Sequence, residues 1–183
     1  GFNYINASEG DSDDIIQIKF FTNKLFVFKS NSVHIWNVAQ PEPINWFPEQ
    51  TMKNNGLQHP ASAIDTPYGI VWANRGGCFY YDGKNISDLT EQKIKDTENS
   101  YHGATLPPSW ESFIQSAVYT VNPLLMYAPK EKQLYIMKDP TKGGGTEDIC
   151  YIYNFMTKSW TYNDSIFTDG VAYTNPIKDW NDN

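Results

Sequence analysis

The sequence predicts an all-β protein built from antiparallel four-stranded blades, arranged as a partial or small β-propeller, with a β-sandwich as the alternative. Three observations predict it. Aromatic side chains make up 15% of the 183 residues, with 12 Tyr, 10 Phe and 6 Trp. Flat rings pack well on pleated strands, and long Ala- and Leu-rich helices are excluded as the main architecture. Short apolar or alternating runs are joined by turns rich in Gly, Asn and Asp. The same layout then returns: 26–28, 70–72, 135–137 and 171–173 are landmark runs, with a mean spacing near the ~40–50 residues of a propeller blade. At roughly 40–45 residues per blade the chain supplies about four. The expectation is one propeller-like segment over 1–183, part of a longer chain.

Each element has its own warrant. Residues 14–20 alternate, with Ile16, Ile18 and Phe20 on one face and Gln17 and Lys19 on the other, the pattern of a half-buried strand. Thr22, Asn23 and Lys24 form a turn, 25–28 a fully apolar strand, Ser30 and Asn31 a second turn, and 33–38 a third strand. Pro41, Pro43 and Pro48 then break the pattern. Strands over 68–73 and 78–81 flank a turn at 74–77, and Asp82-Gly83 is a hairpin signal because Gly accepts a positive φ. Strands over 124–128 and 134–137 flank a turn at 129–132; a loop holding Gly143, Gly144 and Gly145 follows. Strands over 149–154 and 160–162 flank a turn at 156–159, and Val171, Ala172 and Tyr173 begin one more. Two stretches are helix-prone, 90–95 and 110–115, and Ser109 is placed to N-cap the second.

Charge and composition exclude several functions. The net charge is −7, from 14 basic and 21 acidic side chains, and Arg75 is the only arginine. Reading DNA or RNA sequence relies on Arg and on a basic face, so sequence-specific nucleic-acid binding is not expected. No run approaches the ~18 apolar residues of a membrane span. Cys78 and Cys150 both lie in apolar, strand-like runs and read as buried thiols rather than a disulfide framework.

The candidates for site chemistry are few. Glu9, Gly10, Asp11, Ser12, Asp13 and Asp14 gather oxygens, but without the twelve-residue loop and terminal Glu of an EF-hand; a solvated acidic turn is the simpler reading. His34, His59 and His102 are far apart in sequence, and no His/Cys pair has ligand spacing, so no metal is expected. His34, between Val33 and Ile35, reads as a strand-surface histidine. Propellers also host glycosidases. A sialidase clamps its substrate carboxylate with several guanidinium forks, which one arginine cannot supply. Other glycosidases need two carboxylates about 5–10 Å apart; Asp65, Asp82, Asp88 and Glu111 are candidates with no pair singled out. Gly143, Gly144 and Gly145 lack the Lys and Ser/Thr of a phosphate cradle. No catalytic residue and no cofactor is assigned. An adhesin that binds host-surface glycans would need an exposed aromatic platform, for which Trp46, Trp110 and Trp180 sit in loop-like contexts, although core packing or subunit contact explains them more simply.

One family resemblance adds to this. Gly10, Asp11, Asp14, Ile15 and Ile16, then the strand Lys24-Leu25-Phe26-Val27-Phe28-Lys29 and the Ser-rich turn Ser30-Asn31-Ser32, stand in a recurring order. They are followed by Gly56, Pro60-Ala61-Ser62, Gly69-Ile70-Val71-Trp72, Gly77, Tyr80-Tyr81-Asp82-Gly83 and Ile86-Ser87. Asn154, Thr157 and Trp160 complete a strand-turn-strand. The set resembles the propeller segment of tailed-phage virion proteins and is most similar to the tail nozzle, or tail tubular protein B, family of short-tailed phages. It covers residues 10–165, and the chain departs from the family in being several times shorter. The resemblance implies a structural virion protein that assembles as a ring, of six copies in that family, around the DNA exit channel. Its partners would be further copies of itself and other tail proteins such as an adaptor and fibres, with DNA only in transit. It carries over no catalytic residues. An acidic, Arg-poor chain suits a channel wall that must not hold DNA. Lys24, Lys29, Lys84 and Lys158, at or near turns, are expected to keep strand edges soluble.

Overall fold

The computed structural model describes residues 13–91, 93–94, 100–101, 104–105, 107–114, 122–138 and 150–163. Within them lie three antiparallel four-stranded sheets, each wound from consecutive strands in chain order. The first holds β1 (Ile15–Phe21), β2 (Lys24–Lys29), β3 (Ser32–Asn37) and β4 (Phe47–Lys53). The second holds β5 (Ala63–Thr66), β6 (Gly69–Asn74), β7 (Gly77–Tyr81) and β8 (Ile86–Asp88). A two-residue pair, β9 (Ser100–Tyr101) and β10 (Ala104–Thr105), and the helix α1 (Trp110–Ile114) precede the third sheet. That sheet holds β11 (Pro123–Ala128), β12 (Gln133–Lys138), β13 (Cys150–Asn154) and β14 (Ser159–Asn163). The blade expected from Val171 onward lies outside the described residues, as do the loop of Gly143 to Gly145 and Asp11, Ser12, His102 and Trp180.

The middle sheet is covered on both faces. Along β6, Ile70 and Trp72 face the first sheet and join Phe26, Phe28, Val33 and Ile35 in one apolar core. Val71 and Ala73 point the other way and join Leu125, Leu134, Ile136, Tyr151 and Tyr153 of the third sheet in another. The period-2 alternation of a strand therefore feeds two cores, and every residue of β6 is buried. This explains why the sequence there is a continuous apolar run rather than an alternating one. Three antiparallel four-stranded sheets packed in succession accord with propeller-like blades and with a layered β-sandwich alike. The sheets meet through their first strands: β5 packs against both β1 and β11, and β6 does the same. An ion pair of 2.8 Å between Lys19 on β1 and Asp65 on β5 lies along that seam. The Ser62 hydroxyl donates to the Pro123 carbonyl at 2.6 Å, tying the second sheet to β11.

Several expectations are corrected. Pro48 does not end the strand pattern but sits inside β4, opposite Trp36, beside a register shift. β4 is the outermost strand of its sheet and is almost wholly exposed, the one place where a strand tolerates the missing N–H. In the first helix-prone stretch the N–H groups of Lys93 and Ile94 both donate to the Thr90 carbonyl in a turn, and Gln92 and Lys95 lie outside the described residues. The second helix-prone stretch does form α1. Ser109 caps it as expected, its hydroxyl accepting from the Ser112 N–H at 3.2 Å. Trp110, Phe113 and Ile114 of α1 are buried in the core shared by the second and third sheets.

Candidate functional site

The carboxylates considered for catalysis are each engaged locally. Asp65 holds Lys19. Asp82 accepts from the N–H groups of Lys84 and Asn85 at 2.8 and 2.7 Å in the β7–β8 turn; these donors hold its carboxyl below the usual range. Asp88 accepts from the Thr90 N–H and hydroxyl and from the Glu91 N–H. Glu111 lies in the first turn of α1. The acidic turn is more than a solvated loop: the Asp13 carboxylate accepts from the Asn31 N–H, the Asn31 carboxamide and the Ser32 hydroxyl, clamping the β2–β3 turn. Among the described residues no three His, Cys, Asp or Glu side chains gather as a metal site. No helix of the described residues is long and apolar enough to cross a membrane.

His34 is a correction. It is 7% exposed, not a surface residue. Hydroxyls of Ser32 and Thr51 lie 3.1 and 3.2 Å from its two ring nitrogens, which removes most of the cost of burying an imidazole. The His59 ring accepts from the Ala61 N–H at 3.1 Å and caps a 3-10 turn. Lys29 is 4% exposed and so is no edge-solubilising charge; its carbonyl receives the Leu57 N–H. Lys24 pairs with Glu49, and that bond, with one from Asn37, holds the Glu49 carboxyl below its usual range. The aromatic platform does not form from Trp110, which is 1% exposed and donates its indole N–H to the Asn74 carbonyl at 3.0 Å. Trp46 is half-buried, its N–H bound to the Gln40 carbonyl.

Cys78 and Cys150 are free and buried. Burial pushes the Cys78 thiol far up and the Cys150 thiol up to about 12. The thiolate is the reactive form. At pH 8 the native chain is therefore expected to leave both thiols unmodified by iodoacetamide over an hour, while the urea-unfolded chain takes up two equivalents. Mass spectrometry checks this, and rapid modification of either thiol in the native state would contradict it.

Two surfaces stand out. The first is the pair of end faces of the sheet stack. The face of the first sheet turned away from the second carries Ile18, Phe20, Leu25, Val27 and Trp36 in register. Ile18 is 54% and Phe20 59% exposed. The corresponding face of the third sheet carries Leu124, Met137 and Cys150 in one row and Met126, Tyr135 and Ile152 in the next.

The second surface is a polar cleft of ≈ 640 Å³ where turns of all three sheets converge. Ser30 and Asn31 enter it from the β2–β3 turn, and Asn54, Gly56 and Gln58 from the β4–β5 connection. Asn74, Arg75 and Gly76 come from the β6–β7 turn, and Asn122 from the residue before β11. Hydrogen bonds fix the walls. Gln58 donates to the Ser30 carbonyl at 2.7 Å, and Asn74 donates to the Gly56 carbonyl at 3.1 Å while accepting from the Gly76 N–H. Gly56 is required by close approach: a Cβ there would lie 2.4 Å from the Lys29 carbonyl oxygen. Sequence reasoning missed this cleft because each contributor, taken singly, is an ordinary turn residue; only Arg75, as the lone arginine, carried a signal.

No protein-family model matches the chain, and no curated protein does either.

Proposed function

We propose that the chain is a structural, non-catalytic component of a bacteriophage tail that builds a ring-shaped wall around the DNA exit channel. The observation that carries this reading is the pair of apolar end faces. Within the chain, one sheet face meets the next and the operation is applied twice, from first to second and from second to third sheet. On the far side of the third sheet Met126, Tyr135, Met137 and Ile152 are half-buried while Leu124 and Cys150 are buried, and the first sheet leaves Ile18 and Phe20 bare. Two unlike faces at opposite ends favour head-to-tail contact between copies, the geometry that closes into rings. Continuing the same packing with a neighbouring copy covers both faces. The family resemblance supplies the tail setting and other tail proteins as partners, and the net charge of −7 suits a wall that DNA passes without adhering.

The test is Ile18→Glu with Phe20→Glu in the full chain. Both positions are exposed, so the fold should persist by circular dichroism. Light scattering should show the wild-type chain as a closed oligomer and the double variant as a monomer. A wild-type monomer, or an oligomer unmoved by the substitutions, would overturn the proposal.

A further inference from the structure

We infer that Met156 is a site of reversible oxidation to the sulfoxide by a peroxide, and that the Tyr68 hydroxyl holds the oxidised side chain. Met156 stands in the β13–β14 turn and is 60% exposed. The other three methionines, Met52, Met126 and Met137, are half-buried, and both thiols are buried. Oxidation of sulfur follows access to it, so Met156 is the sulfur a dissolved peroxide meets first. The turn that presents it is fixed. The N–H groups of Met156 and Thr157 donate to the Asn154 carboxamide oxygen at 2.8 and 3.1 Å, and the Lys158 N–H donates to the Asn154 carbonyl at 2.8 Å.

Tyr68 supplies the second observation. Its hydroxyl donates to the Met156 sulfur at 3.8 Å. Tyr68 belongs to the β5–β6 turn, so this contact joins the second sheet to the third. The ring is held in place: it stacks on Phe155 at 4.9 Å and meets Tyr127 edge-on at 6.4 Å, and the Tyr68 carbonyl accepts from the Tyr80 hydroxyl at 2.9 Å. A thioether is a weak acceptor. In the oxidation a sulfur lone pair attacks one peroxide oxygen and the O–O bond breaks. The S–O bond forms, and the departing hydroxide takes the remaining hydroxyl proton and leaves as water. Sulfur loses two electrons and the peroxide gains them. The product is polar and keeps the flexible stem of methionine. Its oxygen, turned toward Tyr68, comes within the roughly 2.5–3.0 Å of an O–H···O bond. A weak contact between two sheets thereby becomes an ordinary hydrogen bond. Methionine sulfoxide reductases reverse the step with a dithiol, which becomes a disulfide while the oxygen leaves as water.

The probe is dilute hydrogen peroxide on the full chain, followed by peptide mapping with mass spectrometry. The peptide holding Met156 should gain one oxygen at least about tenfold faster than those holding Met52, Met126 and Met137. The singly oxidised chain should melt about 1–3 °C above the reduced chain, the shift of one added hydrogen bond at a partly exposed site. Treatment with both epimer-specific reductases should restore the original midpoint. Tyr68→Phe keeps the ring and its stacking and removes only the hydroxyl. In that variant Met156 should still oxidise first, and the midpoint should no longer rise. Met156→Leu should lose the fast oxidation and the shift together, with an unchanged circular dichroism spectrum. Oxidation of Met156 no faster than of the other three, a midpoint that stays or falls on oxidation, or a rise that persists in Tyr68→Phe would each overturn the inference. None of these readouts depends on assembly, which light scattering reports separately.

Discussion

Trp72→Ala is expected to cost about 3–5 kcal/mol, the range for deleting a large buried aromatic. Trp72 is fully buried and is the ring on which the first two sheets close: Phe28 and Phe79 lie with centroids 5.6 Å from it, and Phe26 at 6.0 Å. In a chain of this size each kcal/mol lowers the melting midpoint by about 2–4 °C, so the shift should reach roughly 10 °C. Trp72→Phe separates volume from hydrogen bonding. The buried indole N–H has no partner, and leaving a donor unsatisfied costs about 1–3 kcal/mol. Phenylalanine removes that donor while keeping most of the ring, so its cost should be less than half that of alanine in urea melts. Equal costs for the two variants would mean that the N–H is satisfied in solution.

Gly69→Ala should destabilise on a similar scale, about 3–5 kcal/mol, because two penalties of about 1–3 kcal/mol add. Gly69 opens β6 at φ +148°, a conformation that side chains rarely adopt, and a Cβ there would fall 1.9 Å from the Tyr81 carbonyl oxygen on the paired strand β7. The obstacle is backbone, so no rotamer change relieves it. Gly76→Ala is the control: its nearest neighbour would be the Asn74 side-chain oxygen at 3.2 Å, and its cost should stay within about 1 kcal/mol. Matched chemical denaturation of the two variants checks the contrast. A loss at Gly69 no larger than at Gly76 would show that β6 and β7 can separate at their start without harm.

Strands that face a core on at least one side were legible in the sequence, because burial writes itself as apolar runs between turn residues. β6 is the plainest case: both faces are covered, and its apolar run is bounded by Pro67 before and Gly76 after. The strands that escaped notice are those whose burial pattern is weak or whose length is short. β4 is polar and carries a proline because it has no partner on its outer edge, while β5 and β8 have only four and three residues. Asp13 could be read as a metal ligand or a solvated charge, and neither reading foresaw a clamp on a turn 18 residues away. The cleft was the least legible feature. Asn31, Asn54, Arg75 and Asn122 come from four separate connections, and their meeting depends on how the blades pack, which no local pattern encodes.

Winding each sheet from neighbouring strands in chain order has a kinetic consequence. Every strand pairs with one joined to it by a turn or a single connection, so a blade can form as soon as it leaves the ribosome, without waiting for distant partners. The faces mature on a different schedule. Ile70 and Trp72 find their cover at once in a first sheet already made, whereas Val71 and Ala73 stay bare until the third sheet is synthesised. For the time needed to translate α1 and β11 to β14, the nascent chain displays an apolar sheet on which a second nascent chain could settle. Slow translation through 115–150 would lengthen that interval and should raise the aggregated fraction without altering the stability of the finished fold.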